Sequence, residues 1–360
     1  MCAKNDEKTL SKPNLDLLFE LYRYRSLSTR QVMEVGKLGE WYVYKKLNQL
    51  REKGYILTNR VKGNYIVGQS RQGNYHRLSH KGIKKLEKHG YPVESSADDI
   101  RVSDYRLPYL LVGNELCICL EQHGWKFSDS RTIKSLKQLN KRDLLHGMLV
   151  NPENNKEYAV YVFLQTVQPD SLARVKREVM RTRFENILIV TRGFESFEAI
   201  MESFTDKKET VIKGGSVKVM PFQFAKSYLT ISDDNRKNHE YFLENIGLKI
   251  LDVRSNKNDF GTNVMFEYLV EHNGEEMYFV DLLDNDLMKL QLISEYRKEE
   301  YMRNGRKVLV LTSNSGFHYK FHEELLSHIQ HLEFLPINAK QTIKFANSLS
   351  LLKKNVFGKG

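Results

Sequence analysis

The chain has 360 residues, of which 41% are hydrophobic and 28% charged, with a formal net charge of +11. That is ordinary for a globular protein of two or three domains and argues against a fibrous or disordered chain. No window approaches 18 uncharged apolar residues, and the polar opening MCAKNDEKTLSKP lacks the apolar stretch of a secretory signal. A cytoplasmic protein with no membrane partner is therefore expected. The three cysteines, Cys2, Cys117 and Cys119, give no disulfide framework and fit a reducing compartment. Cys117 and Cys119 lie in the apolar run LCICL and read as small buried hydrophobes, which on a strand would share a face.

The charge is unevenly placed. Residues 1–92 carry 19 Lys and Arg against 8 Asp and Glu, whereas the remainder balances at 37 of each. All of the excess lies in the first quarter of the chain, as a polyanion-binding head on a neutral body would require. In that quarter Asn14 can cap a helix over LDLLFELYRYR, with Leu15, Leu18, Phe19 and Tyr22 at helical spacing. Ser28 caps a second short helix, TRQVMEV. A third helix runs from about Trp41 to Lys53 and stops at Gly54. Val43, Leu47 and Leu50 cluster on one side of it; Tyr42, Lys45 and Gln49 lie on the other, with Lys46 flanking. Three strand-like runs follow, YILTNRV, NYIVG and NYHRLS, and then a basic helix, HKGIKKLEKHG.

Three helices, a β-ribbon and a closing helix make a winged helix-turn-helix over residues 1–92. Such a module lays its third helix in the major groove of double-stranded DNA, where Lys45 and Gln49 can reach base edges. Tyr42 can meet phosphate, sugar or a thymine methyl. Thr29, Arg30 and Gln31 open the second helix, where backbone phosphate is commonly held. Arg60, Lys62, Arg71 and Arg77 lie on or near the ribbon and would grip flanking phosphates, with Lys46 on the flank of the third helix a further DNA contact. Trp41 has a plainer alternative, stapling the helix start onto the ribbon. Winged helices also dock proteins, and that alternative stays open.

The pieces Leu27-Ser28-Thr29-Arg30-Gln31-Val32, Lys46 to Ile56 and Tyr75-His76-Arg77-Leu78-Ser79-His80-Lys81-Gly82 resemble the start of the replication-relaxation family of plasmids and mobile elements. The match covers about residues 14–91 and fades beyond them. The resemblance implies sequence-specific DNA binding that supports replication initiation or DNA transfer, with homo-oligomers and replication or conjugation proteins as further partners.

Beyond a linker near 92–106, residues 146–191 and 263–312 look alike. Each has a strand, a polar turn, a second strand, a basic helix and a buried strand ending in Val-Thr or Leu-Thr. Two related β-β-α-β units, over 107–230 and 237–360, are expected, giving a mixed α/β (α+β) chain. The unit resembles a restriction-endonuclease-like core, which implies an Asp on one strand and Glu-x-Lys on the next, holding Mg²⁺. In the first copy Asp143 precedes the hairpin, but the second position reads Gln165-Thr166-Val167. In the second copy Glu267 and Asp281 are present, but Asp281-Leu282-Leu283 lacks the lysine. Both motifs are incomplete, so a body used for DNA contact or self-association is expected, without catalytic residues, metal or cofactor. Two rivals remain: a Mg²⁺-dependent nuclease using Asp281 with Glu267 or Asp284, and a transcriptional regulator whose body dimerises or senses a ligand. There is no nucleotide P-loop and no His-apolar-His metal strand. His318 and His322, four apart, fit an ordinary amphipathic helix better than a zinc site, which would also need His328 or Glu324.

Overall fold

The computed structural model describes residues 10–61, 73–164, 166–181, 184–205, 215–230, 236–253, 266–314, 316–338, 340 and 342–345. The fold is mixed α/β, with three sheets. The chain divides into two compact units: residues 1–122 with 127–139, and residues 123–126 with 140–360.

The first unit begins with α1 (Lys12–Arg23), which has proline in its first turn, where no amide partner is needed. A two-residue strand, β1 (Leu27–Ser28), leads into α2 (Thr29–Gly36), and α3 (Glu40–Glu52) follows. Tyr55 follows Gly54, whose positive φ of 73° suits a residue without Cβ. Strands β2 (Ile56–Arg60) and β3 (Asn74–Leu78) form an antiparallel ribbon, with Ile56 opposite Leu78. The sheet order is β1-β3-β2, and β1 pairs antiparallel with β3. Its third strand therefore comes from before α2. The expected run NYIVG lies outside the described residues.

Helix α4 (His80–Lys88) is capped by the Ser79 hydroxyl, which accepts from the Gly82 amide at 3.1 Å. A Cβ on Gly82 would sit 2.3 Å from the Tyr55 carbonyl oxygen, so the helix can approach that backbone only with glycine there. Leu18, Leu21, Val32, Val43, Leu47, Ile56, Leu78 and Leu86 form the buried centre of this unit.

Helix α5 (Leu107–Glu121) falls where the run YLLVGNELCICLEQHG predicts a helix, but not in the unit expected. It belongs to the first unit rather than to the body, and it holds Cys117 and Cys119 on a helix, the first buried and the second half-buried. The physical reason is a set of polar anchors. Asn114, fully buried, donates from Nδ2 to the carbonyls of Tyr24 at 3.0 Å and Ser26 at 2.8 Å. Glu121 accepts from Arg23 at 2.5 Å and from the Tyr24 hydroxyl. Leu107 and Leu111 pack with Val61 and Tyr75 of the ribbon. Strand β4 (Lys126–Asp129) and α6 (Ser130–Leu136) complete the segment, with Asp129 capping α6.

The second unit contains β5 (Gly147–Val150), β6 (Glu157–Phe163), α7 (Pro169–Arg181), β7 (Asn186–Thr191), α8 (Phe194–Thr205), β8 (Ser216–Pro221) and α9 (Phe222–Tyr228). Then come α10 (Arg236–Asn245), β9 (Lys249–Val253), β10 (Tyr268–His272), β11 (Glu275–Asp281), α11 (Leu287–Glu295), α12 (Lys298–Asn304), β12 (Val308–Ser313), α13 (Gly316–Leu326) and β13 (Leu332–Ile337). Strands β5 and β6 pair antiparallel, and β6-β7 and β7-β8 pair parallel. The same senses recur in β10-β11, β11-β12 and β12-β13. Asn273 and Gly274, both at positive φ, make the tight turn between β10 and β11. Strands β7 and β12 are buried almost throughout, as parallel strands covered on both faces must be.

The two sheets of this unit interlock instead of standing as separate domains. Lys218 of β8 forms an antiparallel bridge with Asp286. Asp286 accepts from the Ser216 hydroxyl at 2.6 Å and the Val217 amide at 3.2 Å, and Asn285 donates to the Val219 carbonyl at 3.0 Å.

Candidate nucleic-acid interface

In the first unit, α3 buries Val43, Leu47 and Leu50 and turns its other side to solvent. Trp41 is 74% exposed, Tyr44 48% and Tyr42 44%. Lys45, Asn48 and Gln49 are exposed beside them. Trp41 therefore does not staple the helix to the ribbon. The Lys45 ammonium lies 5.0 Å from the centre of the Trp41 ring, and that of Lys46 lies 5.0 Å from the Tyr42 ring. Each is a cation held over an aromatic face. Lys46 itself is buried at 7% exposure. Its position, about 100° per residue around the helix, falls next to the Leu50 side rather than the solvent side, so it is not among the outward cations.

Gln31 is likewise withdrawn. Its amide donates to the Ser28 hydroxyl at 3.2 Å, its Oε1 accepts from the Ser28 amide at 2.9 Å, and its Nε2 donates to the Leu111 carbonyl at 2.5 Å. This is a capping box that also ties α2 to α5. With all its side-chain groups engaged and 4% exposure, Gln31 holds the head together and is not presented to a ligand. Arg30 is exposed and paired with Glu34 at 3.0 Å. Arg60 is exposed at the end of β2, and Arg77 is half-buried on β3. Lys62 and Arg71 lie outside the described residues.

Thr29 is held from behind. His76 of β3 places Nε2 3.0 Å from the Thr29 hydroxyl and Nδ1 2.9 Å from the Thr58 hydroxyl. It thus joins the start of α2 to β2. Burial, reinforced by the Arg51 charge, lowers the imidazole from 6.5 to about 4. The ring stays neutral at physiological pH, and one nitrogen donates while the other accepts.

The second unit has a different polar centre. Asp281, at the end of β11, is fully buried. Its Oδ2 accepts from the Tyr228 hydroxyl at 2.5 Å and lies 3.0 Å from His239 Nε2, while Oδ1 accepts from the Leu283 amide at 2.8 Å. Burial works against its charge, but the His239 hydrogen bond and the Lys289 charge bring it below the usual carboxylate range. Lys289, from α11, donates to the Asp281 carbonyl at 2.9 Å and lies 3.3 Å from Asp284 and 3.5 Å from Glu267. Burial opposes the ammonium too, yet Asp284 and Glu267 hold its pKa well above the ordinary lysine value. Asp284, buried, is pushed upward despite Lys289 and Lys218. A cleft of about 390 Å³ opens here, lined by Lys218, Arg236, Glu267, Tyr268 and Asp284 among others.

The strand motif Asp281-Leu282-Leu283 has no lysine, but the fold brings Lys289 to it from the next helix. Sequence reading selected Glu267, Asp281 and Asp284 and missed Lys289, His239 and Tyr228. His239 is 42 positions from Asp281, and no local pattern links them. Lys289, eight positions on, could be found only by assuming a helix that folds back. His322 Nδ1 is 2.7 Å from the Thr312 hydroxyl, and the His318 side chain lies outside the described set. Among the described residues no group of three or more His, Cys, Asp or Glu side chains could hold a metal, and no helix is long and apolar enough to cross a membrane.

No family model matches the chain, and no curated protein matches it. Among solved structures, Bacillus subtilis PadR in complex with operator DNA matches at 18% identity, over 35% of this chain and 72% of that chain, with a TM-score of 0.18.

Proposed function

We propose that the first unit is a winged helix that binds double-stranded DNA, with α3 in the major groove. The observation that carries this reading is the outward face of α3. An apolar, aromatic and cationic row of Trp41, Tyr44 and Lys45 stands in solvent, on the quarter of the chain that holds the whole +11 excess. Arg30, Arg60 and Arg77 flank it as phosphate contacts. The body, in this reading, is a pair of related β-β-α-β units of restriction-endonuclease-like form that contact further DNA or a second copy. A part in plasmid replication or transfer rests on the likeness of residues 14–91 to the replication-relaxation family.

The test is duplex binding by the full chain as a function of salt. Each neutralised phosphate adds about 0.9 to the slope of log affinity against log salt. A slope of about 3 or more is expected, and replacing Arg60 by Ala lowers it by about 1. Salt-independent binding, or none, refutes the reading.

A further inference from the structure

We infer that Asn48, and not Gln49, is the central base-reading residue of α3, and that it reads an adenine while Trp41 packs on a thymine methyl. This rests on the duplex-binding reading above and sharpens it into a prediction about sequence.

The buried residues of α3 are Val43, Lys46, Leu47 and Leu50. At about 100° per residue, the direction opposite their mean runs through Trp41, Lys45, Asn48 and Glu52. Tyr42 and Gln49 sit roughly 60–90° to one side, on the flank next to the buried Lys46. A helix seated in a groove offers its central row to the base edges and its flanks to the walls. Asn48 is exposed, and among the described residues its side chain has no hydrogen-bond partner, so both its side-chain carbonyl and its amide are available. That pair matches the N6 donor and N7 acceptor of adenine. Trp41, at 74% exposure, is the largest apolar surface of the row, and the only apolar group on the major-groove edges is the thymine methyl. Seven residues separate the two, about 10 Å along the axis, or roughly three base-pair steps at about 3.4 Å each. The row therefore calls for a thymine and an adenine about three steps apart. Lys45 lies between them with its ammonium over the Trp41 ring.

Selection from a random duplex library tests this with the full chain and the Asn48→Ala, Gln49→Ala and Trp41→Ala variants, all at exposed positions. Asn48→Ala is expected to lose discrimination at one A·T pair by roughly 5- to 150-fold while retaining most of its overall affinity. Gln49→Ala is expected to leave that pair unchanged. Replacing thymine by uracil in the selected site should weaken the wild type and not Trp41→Ala. Loss of the adenine preference in Gln49→Ala, with Asn48→Ala unchanged, overturns the inference and leaves duplex binding standing. Equal response to uracil in both proteins overturns the role of Trp41. A wild type that selects no duplex sequence and binds none brings down the duplex reading as well.

Discussion

Protonation of His76 should loosen the head at its centre. The imidazole lies buried between the Thr29 and Thr58 hydroxyls, with its pKa lowered from 6.5 to about 4. An unfolded chain takes up a proton near pH 6.5, whereas the folded one resists until about pH 4. The stabilisation is complete above pH 6.5 and is lost as pH falls from there through 4. At 1.36 kcal/mol per pH unit, the loss across that window is on the order of 3 kcal/mol. Urea unfolding of wild type and His76→Gln between pH 7 and 4 is the assay. The variant starts less stable at pH 7 and loses less on acidification, by about that amount. Titration of the His76 ring near 6.5 by NMR, or identical acid slopes in both proteins, would refute the reasoning.

Asn114→Leu leaves the carbonyls of Tyr24 and Ser26 without their donor in a buried setting. The expected cost is roughly 2–4 kcal/mol, read from the denaturant midpoint. In the body, Asp281→Ala strips the acceptor from Tyr228, His239 and the Leu283 amide. Removing one partner of such a buried pair costs about 3–5 kcal/mol, and a drop in thermal midpoint measured by calorimetry is expected. A midpoint equal to wild type would show that the carboxylate is not bound as described.

Local chemistry in the head was legible and long-range pairing was not. Ser28 before Thr29, and Gly54 after the third helix, announce a cap and a stop because each satisfies its own neighbouring backbone. Asn273-Gly274 announces a turn for the same reason. Strand β1 is two residues long and exists only because Leu27 faces His76 across the fold, which no window of sequence contains. Helix α5 is apolar nearly all round, so its pattern says that it is buried but not against which surface. Gln31 looked like a surface residue at a helix start; its partner, Leu111, is 80 positions away. Lys46 was a question of angle, since a lysine beside the apolar side is covered by its neighbours even when the pattern counts it as polar.

The hold of residues 281–286 on β8 and α9 bears on how the body comes into being. A chain ending near residue 230 would leave the Val217 amide and the Ser216 hydroxyl without Asp286, and Tyr228 without Asp281. The later half supplies the acceptors that the earlier half needs. The earlier half therefore gains these partners only once residues 281–286 are in place, and a cut between the halves would leave buried polar groups of both without them.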